Sequence, residues 1–296
     1  MDRPETVLFE SRRAFLTGLA YRILGSLAQA EDAVQDTYLK WTALDPATIS
    51  NPAAWLTTAC TRRCVDMLRA AHRSRVDYVG AWLPEPIQTM TNDTPEAAAE
   101  LSSTLSLAFM LVLERLSPKE RAAYLLREVF DQSFQDVAAA LEMSESACRK
   151  LVSRARSRIG LARPGFSMPK ARQDELLSAF QDAVSTGKTD RLASLMREDI
   201  ELRTDGGGKA LALIDPLIGR AEVLGFLGET LHSSWSGYDW RRAEINGARG
   251  ALVFDGSRLI ASVSFACDEL GRLSALYIMR NPHKLSRLGE VERVLQ

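Results

Sequence analysis

Three groups of residues carry side chains or spacings that could do chemistry. The first is TDGGGKALA, residues 204–212, where three glycines precede a lysine. A phosphate-cradling P-loop requires G-x-x-x-x-G-K-[ST], so that backbone N–H groups surround the phosphates and a hydroxyl reaches the metal. Counting back from Gly208-Lys209, the first glycine would fall at Arg203, and the hydroxyl position is Ala210. The dinucleotide fingerprint fails as well, because Leu211 stands where its third glycine belongs. The run therefore reads as a backbone device: glycines reach conformations closed to other residues and let a second segment approach closely. On this reading DGGGK docks against another stretch of chain, with Asp205 and Lys209 as polar anchors around Gly206, Gly207 and Gly208.

The second group is cationic. Formal net charge is −1, with 37 Lys+Arg against 38 Asp+Glu, so any affinity for nucleic acid must come from local clustering. Residues 62–75 carry Arg62, Arg63, Arg69, Arg73 and Arg75 against the single acid Asp66. Residues 149–163 carry Arg149, Lys150, Arg154, Arg156, Arg158 and Arg163 with no acid at all. The third group is sparse. Cys60, Cys64, Cys148 and Cys267 form no C-x-x-C pair and read as buried apolar thiols. His232 lies inside the C-terminal stretch, but no carboxylate partner for acid–base work can be read from its spacing. No metal site, cofactor or catalytic residue is expected.

These residues must be positioned by helices first and strands later. Residues 5–72 read as three helices, with Leu8, Phe15, Leu19 and Ile23 on one face and then Ala30, Val34, Tyr38 and Trp41 on the next. The third helix starts at Asn51-Pro52, an N-cap followed by a proline at the first helical position. Its expected buried stripe is Leu56, Cys60, Cys64, Met67 and Ala71, which leaves the arginines outward. Residues 76–102 form a linker containing WLPEP, in which the segment after Thr94-Pro95 turns helical. Fully stretched, 25 residues of it reach at most about 85 Å.

A second helical module follows. Ser117-Pro118-Lys119-Glu120 combines an N-cap, a first-turn proline and a capping-box glutamate, and Ser133-Phe134-Gln135-Asp136 repeats the logic. FQDVAAALEMSESACRKLVSRARSRI then gives a short helix, a tight turn and a longer basic helix, packed through Val137, Ala138, Leu141, Met143, Ala147, Leu151 and Val152. Beyond residue 168, three amphipathic helices are expected at 171–187, 189–199 and 221–233. Strands follow near 238–245, 249–254, 258–266 and 272–280, separated by Asn246-Gly247, Asp255-Gly256 and Gly271. On the third of these, Leu259, Ala261, Val263 and Phe265 share a face. Helices followed by an antiparallel meander imply an α+β domain with a curved sheet.

AEDAVQDTYLKWTAL, AAWLTTACTRRCVDMLRAAHR and LSPKERAAYLLREVFDQSFQDVAAALEMSESACRKLVSRAR together resemble regions 2 and 4 of the bacterial extracytoplasmic-function sigma factors. WLPEP at 82–86, DGGGK at 205–209 and NPHKL at 281–285 resemble signature pieces of the SigJ-type subgroup, whose members carry a fused SnoaL-like (NTF2-like) domain. Two positions depart from the pattern: Glu142 stands in the helix-turn-helix turn where glycine is usual, and His283 where aspartate is common.

The resemblance implies a multidomain chain: region 2 at 1–75, the linker at 76–102, region 4 at 103–165 and a SnoaL-like regulatory domain at 168–296. It implies core RNA polymerase and promoter DNA as partners. Asp32, Gln35 and Asp36 would dock on the polymerase. Arg62, Arg63, Arg69 and Arg73 would meet phosphates of the −10 element, with Asn51 near an unstacked base and Trp55 as core or stacking surface. Ser146, Arg149, Lys150 and Ser153 would face the −35 major groove, with Arg154 and Arg156 on phosphates. Trp82, Leu83, Pro84, Glu85 and Pro86 are the expected partner of DGGGK, while Asn281, Pro282, His283, Lys284 and Leu285 would latch the tail onto region 2. The N-terminus has no apolar leader and no segment reaches the roughly 18 apolar residues of a span, so a cytoplasmic protein with no membrane contact is expected. The alternative reading is a stand-alone helix-turn-helix regulator whose C-terminal domain senses a small-molecule ligand or acts as an enzyme.

Overall fold

The computed structural model describes residues 4–45, 49–74, 78–89, 104–160 and 168–288, the side chains of 4, 5 and 71–74 excepted. It divides into two compact units, Met1–Asp77 with Met110–Arg163, and Tyr78–Phe109 with Pro164–Gln296. Both helical modules thus belong to one unit, and the linker from Tyr78 onward belongs with the C-terminal domain.

In the first unit, α1 (Pro4–Leu24), α2 (Leu27–Thr42) and α3 (Pro52–Ser74) pack around Phe9, Leu16, Leu19, Ile23, Ala30, Val34, Trp41, Leu56, Cys60, Cys64 and Leu68. Ser26 caps α2 by accepting from the Gln29 N–H, and Asn51 caps α3 by accepting from the Ala54 N–H. Two expected stripes are rotated. On α3, Val65 and Leu68 are buried where Met67 is only half-buried. On α1, Phe9 and Leu16 are buried, while Leu8 and Phe15 stay half-buried. The reason for Phe15 is a second partner: its ring meets Phe130 edge-on, centroids 5.1 Å apart.

The second module comprises α4 (Leu107–Leu113), α5 (Pro118–Tyr124), continued by a π-helical turn at Leu125–Val129, then α6 (Phe134–Ala140) and α7 (Glu145–Ile159). The Ser117/Glu120 capping box forms, and Ser133 caps α6. Cys148 takes the inward position on α7 and Ala147 is exposed, one residue off the expected packing set.

In the second unit, α8 (Lys170–Thr186) and α9 (Asp190–Leu195) are followed by β1 (Met196–Asp205) and β2 (Leu217–Ile218). A helical run over 220–235 comes next, comprising α10 (Arg220–Gly225), a π turn and α11 (His232–Trp235). Strands β3 (Asp239–Ile245), β4 (Ala248–Asp255), β5 (Arg258–Cys267) and β6 (Leu273–Met279) precede α12 (Pro282–Leu285). The six strands form one sheet in the order β2-β1-β6-β5-β4-β3. From β3 to β6 it is the expected antiparallel meander, and β1 joins β6 in parallel. The expected helix 189–199 ends early for that reason: Met196 already pairs with Leu273. An irregularity between Val253 and Phe254 shifts the β4–β5 register, so Ile260 rather than Leu259 packs against the core beside Ala261 and Val263.

Candidate nucleic-acid interface and linker clasp

On α3 the cationic residues already have protein partners. Arg62 donates from Nε to the Ala140 carbonyl and from a terminal nitrogen to the Ala139 carbonyl, both at 2.9 Å, and its other nitrogen lies 2.9 Å from the Glu142 carboxylate. It thereby covers the carbonyl end of α6, where the helix dipole favours a cation. Glu142 holds φ +53 in the helix-turn-helix turn, the left-handed geometry for which glycine is usual. Arg63 pairs with Asp36 at 2.6 Å, so a residue expected to dock on polymerase is tied to one expected on DNA. Arg69 pairs with Asp66 on the exposed face. The Arg73 side chain and Arg75 lie outside the described residues, as do 46–48 in the loop before α3. Trp55 packs on the buried Trp41, centroids 5.7 Å apart, and stays half-exposed.

Sequence reading missed Arg121. It is fully buried, donates to the Ile23 carbonyl at the end of α1 (2.8 Å) and pairs with Glu114 (2.7 Å). Arg121 on α1 and Arg62 on α6 thus each close the C-terminal end of a helix in the other module.

On α7, Ser146, Arg149, Lys150, Ser153 and Arg154 are all exposed. Arg149 pairs with Glu145 and lies over the Phe134 ring, 4.3 Å from its centroid. Arg156 pairs with Glu128 at 2.7 Å, a hydrogen bond that raises its pKa further above its ordinary value. Arg158 reaches Glu120. The Asp32 and Gln35 side chains are exposed on α2.

The second unit brings together the three short motifs of the linker and tail. Asp205 ends β1 fully buried. Its carboxylate accepts from the Tyr78 hydroxyl (2.6 Å), the Leu83 N–H (2.9 Å) and Lys284 Nζ (2.8 Å), and its carbonyl accepts from the Arg280 and Asn281 N–H groups. Lys284 also donates to the Leu83 carbonyl (2.6 Å) and sits over the rings of Trp82 and Tyr78. Asn281 donates to the Tyr78 hydroxyl. Leu83, Pro84, Glu85, Pro86 and Leu285 are buried, and Pro282 is exposed. Gly207 faces this junction, because a Cβ there would overlap the Asn281 amide, whereas one on Gly206 would overlap the Ala210 carbonyl within its own loop. Gly208 has φ +69 with Val79 at ordinary contact distance.

One expectation changes: among the described residues the Lys209 Nζ meets the His283 ring, at 2.7 Å, and not the linker. Within NPHKL, Asn281 and Lys284 are bonded to Tyr78, Leu83 and Asp205. His232 is taken up by the Val184 carbonyl (2.8 Å) at the end of α8.

Residues 8–74 match Sigma-70 region 2 and residues 106–159 match Sigma-70, region 4. The ECF RNA polymerase sigma factor SigJ of Mycobacterium tuberculosis is 35% identical over 299 residues, covering 97% of this chain and 95% of that protein. The chain belongs to the extracytoplasmic-function sigma factors. The ECF RNA polymerase sigma factor SigG of the same organism is 32% identical over 63% of this chain and 57% of its own length. The crystal structure of Mycobacterium tuberculosis SigJ matches with a TM-score of 0.75 at 32% identity, over 95% of this chain and 98% of that one. This sigma factor is an alternative one that directs transcription. Among its described residues no helix is long and apolar enough to cross a membrane.

Proposed function

We propose that this sigma factor carries its own regulator: the C-terminal domain grips the linker between the two promoter-reading modules and so governs their placement on core RNA polymerase in the cytoplasm. The observation that carries this reading is Asp205. One buried carboxylate takes donors from Tyr78, Leu83 and Lys284, which belong to the linker and the tail. A buried, fully partnered network of this kind is costly to disturb, so it holds one geometry rather than many.

Within this reading, Asp32, Gln35 and Asp36 dock on the polymerase. Asn51, Arg62, Arg63, Arg69 and Arg73 serve the −10 element. Ser146, Arg149, Lys150, Ser153, Arg154 and Arg156 serve the −35 element. Phosphate contacts supply affinity that falls with salt, and Arg149 supplies base discrimination. Arg62 and Arg149 must exchange Glu142 and Glu145 for DNA, which makes the present arrangement of the first unit the DNA-free one.

Promoter-dependent transcription with purified core polymerase tests the proposal. Trp82→Ala, Gly207→Ala and a chain ending at Arg280 are each expected to change transcript yield while still binding the core. Yields equal to wild type in all three would end it.

A further inference from the structure

We infer that Asn246 is a second positioning residue for the linker, one side chain that tethers both Ile87 and Leu105. The inference rests on the reading above, that linker geometry governs the two modules.

Asn246 and Gly247 form a two-residue turn between β3 and β4, since Ile245 pairs with Ala248 and the turn residues have φ +53 and +77. An asparagine at the tip of a hairpin ordinarily faces water, and its sequence signature says no more than that. Asn246 is 2% exposed. Its backbone N–H donates to the Ile87 carbonyl (2.8 Å) and its Oδ1 accepts from the Ile87 N–H (3.2 Å). Its Nδ2 donates to the Leu105 carbonyl (3.0 Å). The amide orientation follows from the partners, because an N–H needs an acceptor and a carbonyl needs a donor.

Neighbouring bonds extend the attachment. The Gly247 N–H donates to Thr89 Oγ1 and the Thr89 N–H to the Glu244 carbonyl, both at 3.0 Å, while Gln88 bridges Ile245. The linker thus lies along the end of β3, an edge strand whose free backbone groups it satisfies.

The geometry separates two tasks. Asp205 holds residues 78–83, just past the first module, whereas Asn246 holds both ends of 88–104, and Leu105 stands two residues before α4. Extended, that stretch could span about 60 Å. One side chain holds Ile87 and Leu105 at hydrogen-bonding distance of itself, so two points of the linker are fixed on the same turn of the C-terminal domain.

Two variants of the full chain test this. Asn246→Gly keeps the positive φ of the turn and removes both side-chain bonds. Asn246→Asp keeps the acceptor for Ile87 and turns an oxygen toward the Leu105 carbonyl. Amide hydrogen exchange should quicken about tenfold in segments 83–89 and 104–109 of Asn246→Gly, the loss of roughly one hydrogen bond. In Asn246→Asp only 104–109 should respond. On a promoter series whose two elements are separated by one-base-pair steps, wild-type holoenzyme should prefer one spacing and Asn246→Gly should flatten that preference.

Unchanged exchange in both variants overturns the inference, and so does quickened exchange with the wild-type spacing preference retained. If Asp205→Asn then still alters transcription, the clasp reading survives without Asn246; if it does not, both fall. Should Asn246→Gly fail to fold, Asn246→Asp carries the test, and quickening spread over the whole second unit would mark a merely structural role.

Discussion

Asp205 and Lys284 pair at 2.8 Å with the carboxylate wholly buried and the ammonium largely so, where residues 78–83, 205–209 and 281–285 converge. Removing one member of a buried pair typically costs about 3–5 kcal/mol, because the other is left without its counter-charge. Asp205→Asn should therefore destabilise the second unit by about 3 kcal/mol in urea denaturation of the full chain. Lys284→Met should cost less, since Asp205 keeps the Tyr78 hydroxyl and the Leu83 N–H. The reverse order would assign the stabilisation to the aromatic stacking of Lys284 rather than to the buried carboxylate.

The three glycines should respond in a graded way. Gly206→Ala sets a methyl against the Ala210 carbonyl, which is backbone and cannot swing aside, and Gly207→Ala displaces the Asn281 side chain. Gly208→Ala meets only ordinary contact with Val79 and bears the left-handed penalty of about 1–2 kcal/mol. Thermal denaturation should rank the losses Gly206, Gly207, Gly208, and equal losses at Gly207 and Gly208, both left-handed, would show that backbone freedom alone selects glycine at those two.

Glu142→Gly weighs two small terms against each other. The substitution relieves a left-handed residue, worth about 1 kcal/mol, and loses an exposed ion pair to Arg62, worth about 0–1 kcal/mol. The first unit should be as stable as wild type or slightly more so. A fall in melting temperature of several degrees would mean that the Arg62–Glu142 contact governs the packing of the modules.

Glu120 supplies a pH dependence. Burial pushes its pKa up, but the Ser117 hydroxyl and N–H and the Arg158 and Arg154 guanidiniums outweigh that, and the net shift is downward. A carboxyl lowered in the folded state contributes stability that is present above its ordinary value of 4.5 and is lost as pH falls through the folded one. Between pH 6 and the acid side of 4.5, wild type should lose more stability than Glu120→Gln, measured by denaturant midpoints. Parallel pH profiles would contradict it.

What could be read from the sequence was local. The caps at Asn51, Ser117 and Ser133 depend on residues three positions away, and the β3–β6 strands on alternation bounded by turn dipeptides. That DGGGK and WLPEP hold unusual backbone was legible, because three glycines and two prolines declare it. The hub itself was not. Asp205, Lys284 and Tyr78 are ordinary residues until distant segments meet, and Lys209, the more conspicuous cation, reaches His283 instead. Asn246 was hidden by being a good turn residue. Arg121 was hidden because a cation in the last turn of a short helix reads as solvated, and the helix end it closes is far away in sequence.

The most direct test is a distance in the working assembly. Nitroxide labels at the exposed positions Val7 on α1 and Ser157 on α7, in a Cys267→Ser background, report module separation by pulsed electron resonance in holoenzyme bound to promoter DNA. The account predicts one narrow distance distribution for the wild-type clasp and a broadened or displaced one for Asp205→Asn. Identical distributions in the two proteins would contradict it.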